Sequence, residues 1–155
     1  MTLTLIAIRH AEPLTEGYAE DALRPLSERG KRIQRQVTLQ LRERSITPAK
    51  IYTSPLLRAV QTGEIVAEEF GLETEQIDSL GNAFNGDELI DLLKSQPLGT
   101  TIVFVGHAPT LAQFVNAVSE SFLLQEGLHK SSVACVSFSG DIGYGMGDFK
   151  WVIHP

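Results

Sequence analysis

The 155-residue chain predicts an α/β fold: a three-layer sandwich with a mainly parallel central sheet, helices on both faces and an antiparallel edge strand. Short apolar, β-branched runs alternate with amphipathic helical segments three or four times along the chain. The most apolar run, Ile102-Val103-Phe104-Val105, lacks the polar alternation of a half-exposed strand, so it should be central and covered on both faces. The last two strand-like segments are linked through Gly140, Gly143, Gly145 and Gly147 with no helical pattern between them, which fits a hairpin at the sheet edge.

Thr2 to Arg9 reads as the first buried strand, followed by a loop from Ala11 to Pro25. Pro25 and Ser27 open a helix to about Ser45, with Ile33, Val37 and Leu41 as its inner stripe. A short strand over Ile51 to Thr53 leads to Ser54 as N-cap and Pro55 at the first position of a second helix, ended by Gly71. A weaker strand is expected around Glu75 to Leu80, then a Gly/Asn-rich loop and a helix through Leu89, Leu92 and Leu93. Thr100 to Val105 is the central strand, and Pro109 opens a helix apolar at Leu111, Phe114, Val115 and Val118. Ser119 to Lys130 has no assignable pattern, and Ser132 to Ser139 and Phe149 to His154 are the hairpin strands.

Hydrophobic residues make up 43% of the chain and charged residues 21%, and no linker-like or repetitive tract divides it, so one globular domain over residues 1–155 is expected. A net charge of −6 disfavours general nucleic-acid binding, which needs a basic face. The lack of a long apolar run or basic leader predicts a cytoplasmic protein with no membrane partner. Cys135 stands alone in the apolar run Val133-Ala134-Cys135-Val136 and is expected to be a core residue. Arg24 to Arg44 is rich in cations, whereas Ala59 to Leu93 carries nine acids and no Lys or Arg, a division expected of two solvated helix faces, the alternative being that the basic helix flanks a site for anions or docks an acidic partner.

In open α/β sheets, ligands lie beyond the carboxyl ends of the strands. Three of the predicted strands end in Arg9-His10, in Arg58 one turn into the following helix, and in His107. Two arginines and two histidines on one rim suit a compact dianion, because guanidinium binds phosphoryl oxygens through paired, charge-assisted hydrogen bonds. A histidine among arginines is held neutral by like-charge repulsion and can attack phosphorus. The four histidines are too dispersed for a zinc site and the acids too scattered for magnesium, so no metal or cofactor is expected.

Ile8-Arg9-His10-Ala11-Glu12, Arg24-Pro25-Leu26-Ser27-Glu28-Arg29-Gly30, Thr53-Ser54-Pro55-Leu56-Leu57-Arg58-Ala59-Val60-Gln61-Thr62 and Val105-Gly106-His107-Ala108-Pro109 resemble, in order and spacing, the histidine phosphatase superfamily. That resemblance implies a phosphoglycerate mutase-like fold. It also implies that His10 is the nucleophile that becomes phosphorylated, and that Arg9, Arg58 and His107 bind the phosphoryl group. The small size, with no large insertion before the Gly-His strand, is similar to the SixA-type phosphohistidine phosphatases, which implies a phosphohistidine-bearing protein or peptide as substrate. A small-molecule phosphomonoesterase of the same superfamily and a non-catalytic phosphate-binding module are the alternatives.

Two positions depart from the family pattern. Ala11 stands where the family usually has glycine, which matters if that position needs a positive φ. The region after the third strand, Leu80 to Glu88, has no acid at its start where ester-cleaving relatives usually place a proton donor. Glu12, Asp87 and Glu88 are the available candidates, although Asp87 and Glu88 also suit the first turn of a helix. Imidazole leaves phosphorus with far less help than an alkoxide, so a site without a committed acid suits phosphohistidine.

Overall fold

A computed structural model describes residues 1–120 and 127–155. Residues 121–126 of the unassigned stretch lie outside the described residues. The elements are β1 (Leu3–Arg9), α1 (Glu28–Glu43), β2 (Lys50–Thr53), α2 (Leu57–Phe70), β3 (Thr74–Gln76), α3 (Gly86–Lys94), β4 (Thr101–Gly106), α4 (Thr110–Ser119), β5 (Val133–Phe138) and β6 (Asp148–Ile153). They form a six-stranded sheet of order β3-β2-β4-β1-β5-β6. β1 to β4 run parallel, and β5 pairs antiparallel with both β1 and the edge strand β6. The reversed strand is thus second from the edge.

Strand periodicity sorts the apolar runs onto two faces. Leu5, Ala7, Ile102 and Phe104 pack with Leu89 and Leu93 of α3 and Leu111, Phe114 and Val118 of α4. Ile6, Ile8, Val103 and Val105 point the other way, onto Val37 and Leu41 of α1 and Val66 of α2. Both faces of β1 and β4 are covered, which is why these two strands have no polar alternation. Cys135 sits in the second cluster, and burial pushes its thiol up to about 11, the chemistry of a core hydrophobe.

Two boundaries differ from the sequence expectation. β3 stops at Gln76, and Asp78–Leu80 forms a 3₁₀ turn in place of further strand. After Ile77 donates to the Thr53 carbonyl at 2.8 Å, the chain turns and seats Leu80, 1% exposed, in the core. α2 starts at Leu57, three residues after the expected cap, because the Ser54 amide still extends the β ladder by donating to the Val105 carbonyl at 3.0 Å.

The register levels the strand ends. Arg9 pairs with Gly106 across β1 and β4, and Thr53 pairs with Val105 across β2 and β4. Whatever follows β1, β2 and β4 therefore starts at one rim. Helix α1 is held against the loop after β1 at Gly30, where a Cβ would run into the Glu12 carbonyl oxygen. Ser27 caps α1 by accepting from the Gly30 amide at 2.9 Å, and its hydroxyl donates to Glu12 Oε1 at 2.9 Å.

Gly30→Ala should therefore force the two segments apart at a cost of about 1–3 kcal/mol, seen in thermal unfolding as a fall of roughly 3–10 °C. Gly140→Ala, which meets nothing within 4 Å, should leave the midpoint where it is.

Candidate active site

His10 leaves β1 nearly buried, 6% exposed, with its amide donating to the Gly106 carbonyl at 2.9 Å. Its Nδ1 lies 2.8 Å from the Ala11 carbonyl oxygen. A carbonyl only accepts, so Nδ1 carries the proton and Nε2 keeps the lone pair. Ala11 does not adopt a positive φ, and its buried methyl is accommodated, so alanine meets the backbone requirement here. The Ala11 amide donates to Thr62 Oγ1 at 2.9 Å, and Thr62 donates to the Arg58 carbonyl at 2.7 Å.

These bonds explain the run from Ser54 to Thr62. Arg58, Gln61 and Thr62 recur at helical spacing on one face of α2, while Ala59 and Val66 face the core. Gln61 Oε1 accepts from the Leu26 amide at 2.7 Å, tying α2 to the segment that leads into α1. The Arg58 guanidinium donates to the Asp21 carbonyl at 3.0 Å and pairs with Asp21 Oδ2 at 3.3 Å. Ser54, released from capping, shares a 2.8 Å hydrogen bond with His107 Nε2 and accepts from the Leu56 amide at 3.2 Å. The His10 and His107 rings lie 5.1 Å apart between centroids.

Arg9 donates to the Leu128 carbonyl at 2.9 Å, and its Nε is buried with no partner among the described residues. Ser131, at φ 63°, donates its amide to the Arg9 and His10 carbonyls at 3.1 and 3.3 Å, so the turn before β5 closes over the end of β1. Behind that turn, His154 Nδ1 lies 2.9 Å from Ser132 Oγ, and the His129 and His154 rings stand 4.6 Å apart.

Arg9, His10, Arg58 and His107 all line one hollow of about 470 Å³. Arg24, Lys130, Asn82 and Thr110 line it too. Glu12, Asp87 and Glu88, the proton-donor candidates, do not. Glu12 is tied to Ser27 and, at 3.5 Å, to Arg29; Asp87 accepts from the Tyr144 hydroxyl at 2.7 Å; and Glu88 accepts from Ser79. Asp87 and Glu88 occupy the first turn of α3, where the helix dipole favours them. No Asp or Glu lines the hollow among the described residues.

A model of the histidine phosphatase superfamily, branch 1, matches residues 5–88, more than half of the chain. The chain belongs to the histidine phosphatase superfamily. A protein of Picosynechococcus sp., itself uncharacterized, is 32% identical over 105 residues, which cover 66% of this chain and 64% of that protein, just under two thirds of its length. The chain superposes on the protein histidine phosphatase SixA complexed with tungstate with a TM-score of 0.85 at 22% identity, over 98% of this chain and 97% of that one. A SixA structure from Agrobacterium tumefaciens gives 0.82 at 23% over 98% and 97% of the two chains. A phosphoserine phosphatase of Entamoeba histolytica, in a complex with phosphoserine, gives 0.73 at 18% over 97% and 96%. At these identities the likeness is one of fold, and it includes the phosphoglycerate mutase-like arrangement expected from the sequence.

Electrostatics in this superfamily member keep both imidazoles neutral. Burial lowers His10 to about 3 against the opposing pull of the bond to Ala11, with smaller lowering from its neighbours, Arg58 and Arg9 among them. Burial and then the Arg58 charge lower His107 to about 4, with Asp21 pulling the other way and Arg9 adding to the lowering. Asp21, Arg24, Ser54, Thr62 and Lys130 are the site residues that sequence reasoning did not single out. Arg24, Ser54 and Thr62 lay inside the family-like segments, whereas Asp21 and Lys130 left no local signal.

A histidine whose folded pKa lies below its unfolded value costs stability as pH falls through 6.5, since the unfolded chain then binds more protons. Between pH 7 and 5 the native protein should lose about 1–2 kcal/mol more than His10→Asn, measured by urea unfolding at each pH. Nitrogen-15 spectra should show His10 neutral and Nδ1-protonated throughout that range. A His10 midpoint near 6.5 would contradict the geometry.

Proposed function

We propose that this histidine phosphatase superfamily protein removes a phosphoryl group from phosphohistidine on a protein or peptide through a covalent intermediate on His10. The observation that carries this reading is the pairing of a neutral, Nδ1-anchored His10 with a cationic hollow that, among the described residues, is lined by no carboxylate. Arg9 and Arg58 hold the equatorial oxygens, and His107, braced by Ser54, completes the cradle.

The Nε2 lone pair of His10 forms a bond to phosphorus as the phosphorus–nitrogen bond of the substrate breaks. The distal nitrogen of the substrate ring, with a pKa near 6.5, takes its proton from water beforehand, so the ring departs as neutral imidazole without an enzyme acid. His10 then carries phosphorus on Nε2 and the proton on Nδ1, a cationic ring that leaves readily when water attacks phosphorus. The proton released by that water stays with the phosphate product, and His10 returns to its neutral form.

The chain's net charge of −6 fits a protein rather than a nucleic-acid partner, and no helix of the described residues is long and apolar enough to cross a membrane. A cytoplasmic setting is part of the proposal.

The test is a panel of phosphohistidine peptide, phosphotyrosine peptide, sugar phosphate and p-nitrophenyl phosphate, with and without EDTA. Phosphohistidine should give the highest kcat/KM, and EDTA should change nothing. Comparable kcat/KM on an alkyl phosphate ester would favour the small-molecule phosphomonoesterase reading. His10→Ala should remain folded yet lose at least about a thousandfold in kcat, and acid-sensitive, alkali-stable label should appear on wild-type His10 alone. A His10→Ala protein that keeps its turnover would leave only a phosphate-binding role for that residue.

A further inference from the structure

The hollow carries more positive charge than a phosphoryl group can use. Arg9 and Arg58 already match its two negative charges, yet Arg24 and Lys130 line the same hollow. Four of the 13 Lys and Arg of a chain with net charge −6 thus meet at one hollow, a concentration that composition does not explain.

Arg24 is held in place. Its side chain is 24% exposed, its Nε donates to the Leu14 carbonyl at 2.5 Å, one terminal nitrogen lies 4.0 Å from Asp21 Oδ1, and its guanidinium carbon sits 5.5 Å from the centre of the Tyr18 ring. A guanidinium so fixed has lost much of its rotamer freedom before a ligand arrives. Lys130 stands on the turn whose Ser131 amide binds the Arg9 and His10 carbonyls. It also lines a second hollow of about 200 Å³, shared with Glu12, Arg29, Ile33 and His129, so it joins the phosphoryl site to neighbouring surface.

We propose that Arg24 and Lys130 form an anion-reading flank that selects phosphohistidine segments with Asp or Glu beside the phosphorylated residue. This rests on the phosphohistidine reading above. The substrate imidazole supplies no negative charge, so the additional anions must come from neighbouring side chains. Cations at the rim of a site reward such charges chiefly through selectivity and association rate.

The test uses the wild-type protein and peptides bearing a non-hydrolysable phosphonate analogue of phosphohistidine, identical except for Glu, Gln or Lys at the flanking positions. Binding should follow the order Glu, Gln, Lys, with about a tenfold gap between the first two at low ionic strength that narrows with salt. Arg24→Gln and Lys130→Gln should each shrink the Glu/Gln ratio, and Arg24→Lys should restore part of it. Lys50→Gln, at the opposite end of β2, should keep the wild-type ratio. Equal binding of the Glu and Gln peptides to wild type overturns the proposal. So does a uniform loss across all three peptides in the variants, which would make these cations general phosphate attractors. Hydrolysis of the corresponding phosphohistidine peptides and of phosphate monoesters, assayed alongside, reports on the activity itself. Turnover of the esters alone would remove the phosphohistidine reading, whatever the flank preference.

Discussion

The peptide unit around Ala11 sets the chemistry of this fold. Its carbonyl oxygen fixes the proton of His10 on Nδ1, and its amide is held by Thr62, whose hydroxyl in turn holds the Arg58 carbonyl. A single residue with no functional side chain thus fixes the tautomer of one site group and the distance to another. The bond to Ala11 favours the protonated ring, but burial, together with the charges of Arg58 and Arg9, opposes that by more, so the ring is neutral with its proton on the inner nitrogen. That combination leaves the Nε2 lone pair free of a competing proton.

Parallel pairing supplies the second constraint. Because β1, β4 and β2 end level, three short polar segments separated by about fifty residues each arrive at one rim, where the bonds of Thr62 to Ala11 and of Ser54 to His107 join them. The helices contribute by close approach. Gly30 brings α1 onto the loop after β1, and Gln61 ties α2 to the entry of α1. Site and scaffold share these bonds, so a change that loosens the packing of α1 also shifts the surroundings of His10.

Much of this was legible in the sequence, for identifiable reasons. Apolar runs such as Ile102 to Val105 report two-sided burial directly, and Ser27 reports a cap that the structure contains. Arg9, His10, Arg58 and His107 could be grouped because each sits just beyond a strand, and topology converts that position into proximity. Ser54 misled, because a serine before a proline looks like a cap and only the partner arriving from β4 shows where its hydroxyl goes. The carboxylates misled for the same reason. Glu12, Asp87 and Glu88 are near the site in sequence, but their partners Ser27, Tyr144 and Ser79 hold them elsewhere. Asp21 opens a 3₁₀ turn over Asp21–Leu23, inside the stretch from Ala11 to Pro25 that reads as loop, and Lys130 lies in a turn; no periodicity encodes either path.

Asp21 shows how an exposed acid can serve a phosphoryl site without touching phosphorus. Its side chain is 66% exposed, so its pairing with Arg58 contributes at most about 1 kcal/mol. The Arg58 side chain, by contrast, is 12% exposed, and a dianion meeting it in the hollow would make stronger, less screened bonds. A strong carboxylate partner would compete with the substrate, and an arginine with no partner would sample many rotamers. A weak tie from an exposed carboxylate, with the other terminal nitrogen on the Asp21 carbonyl, lies between these extremes. The same acid faces Arg24 at 4.0 Å, so one exposed carboxylate eases the repulsion between two arginines of the hollow while remaining outside its lining.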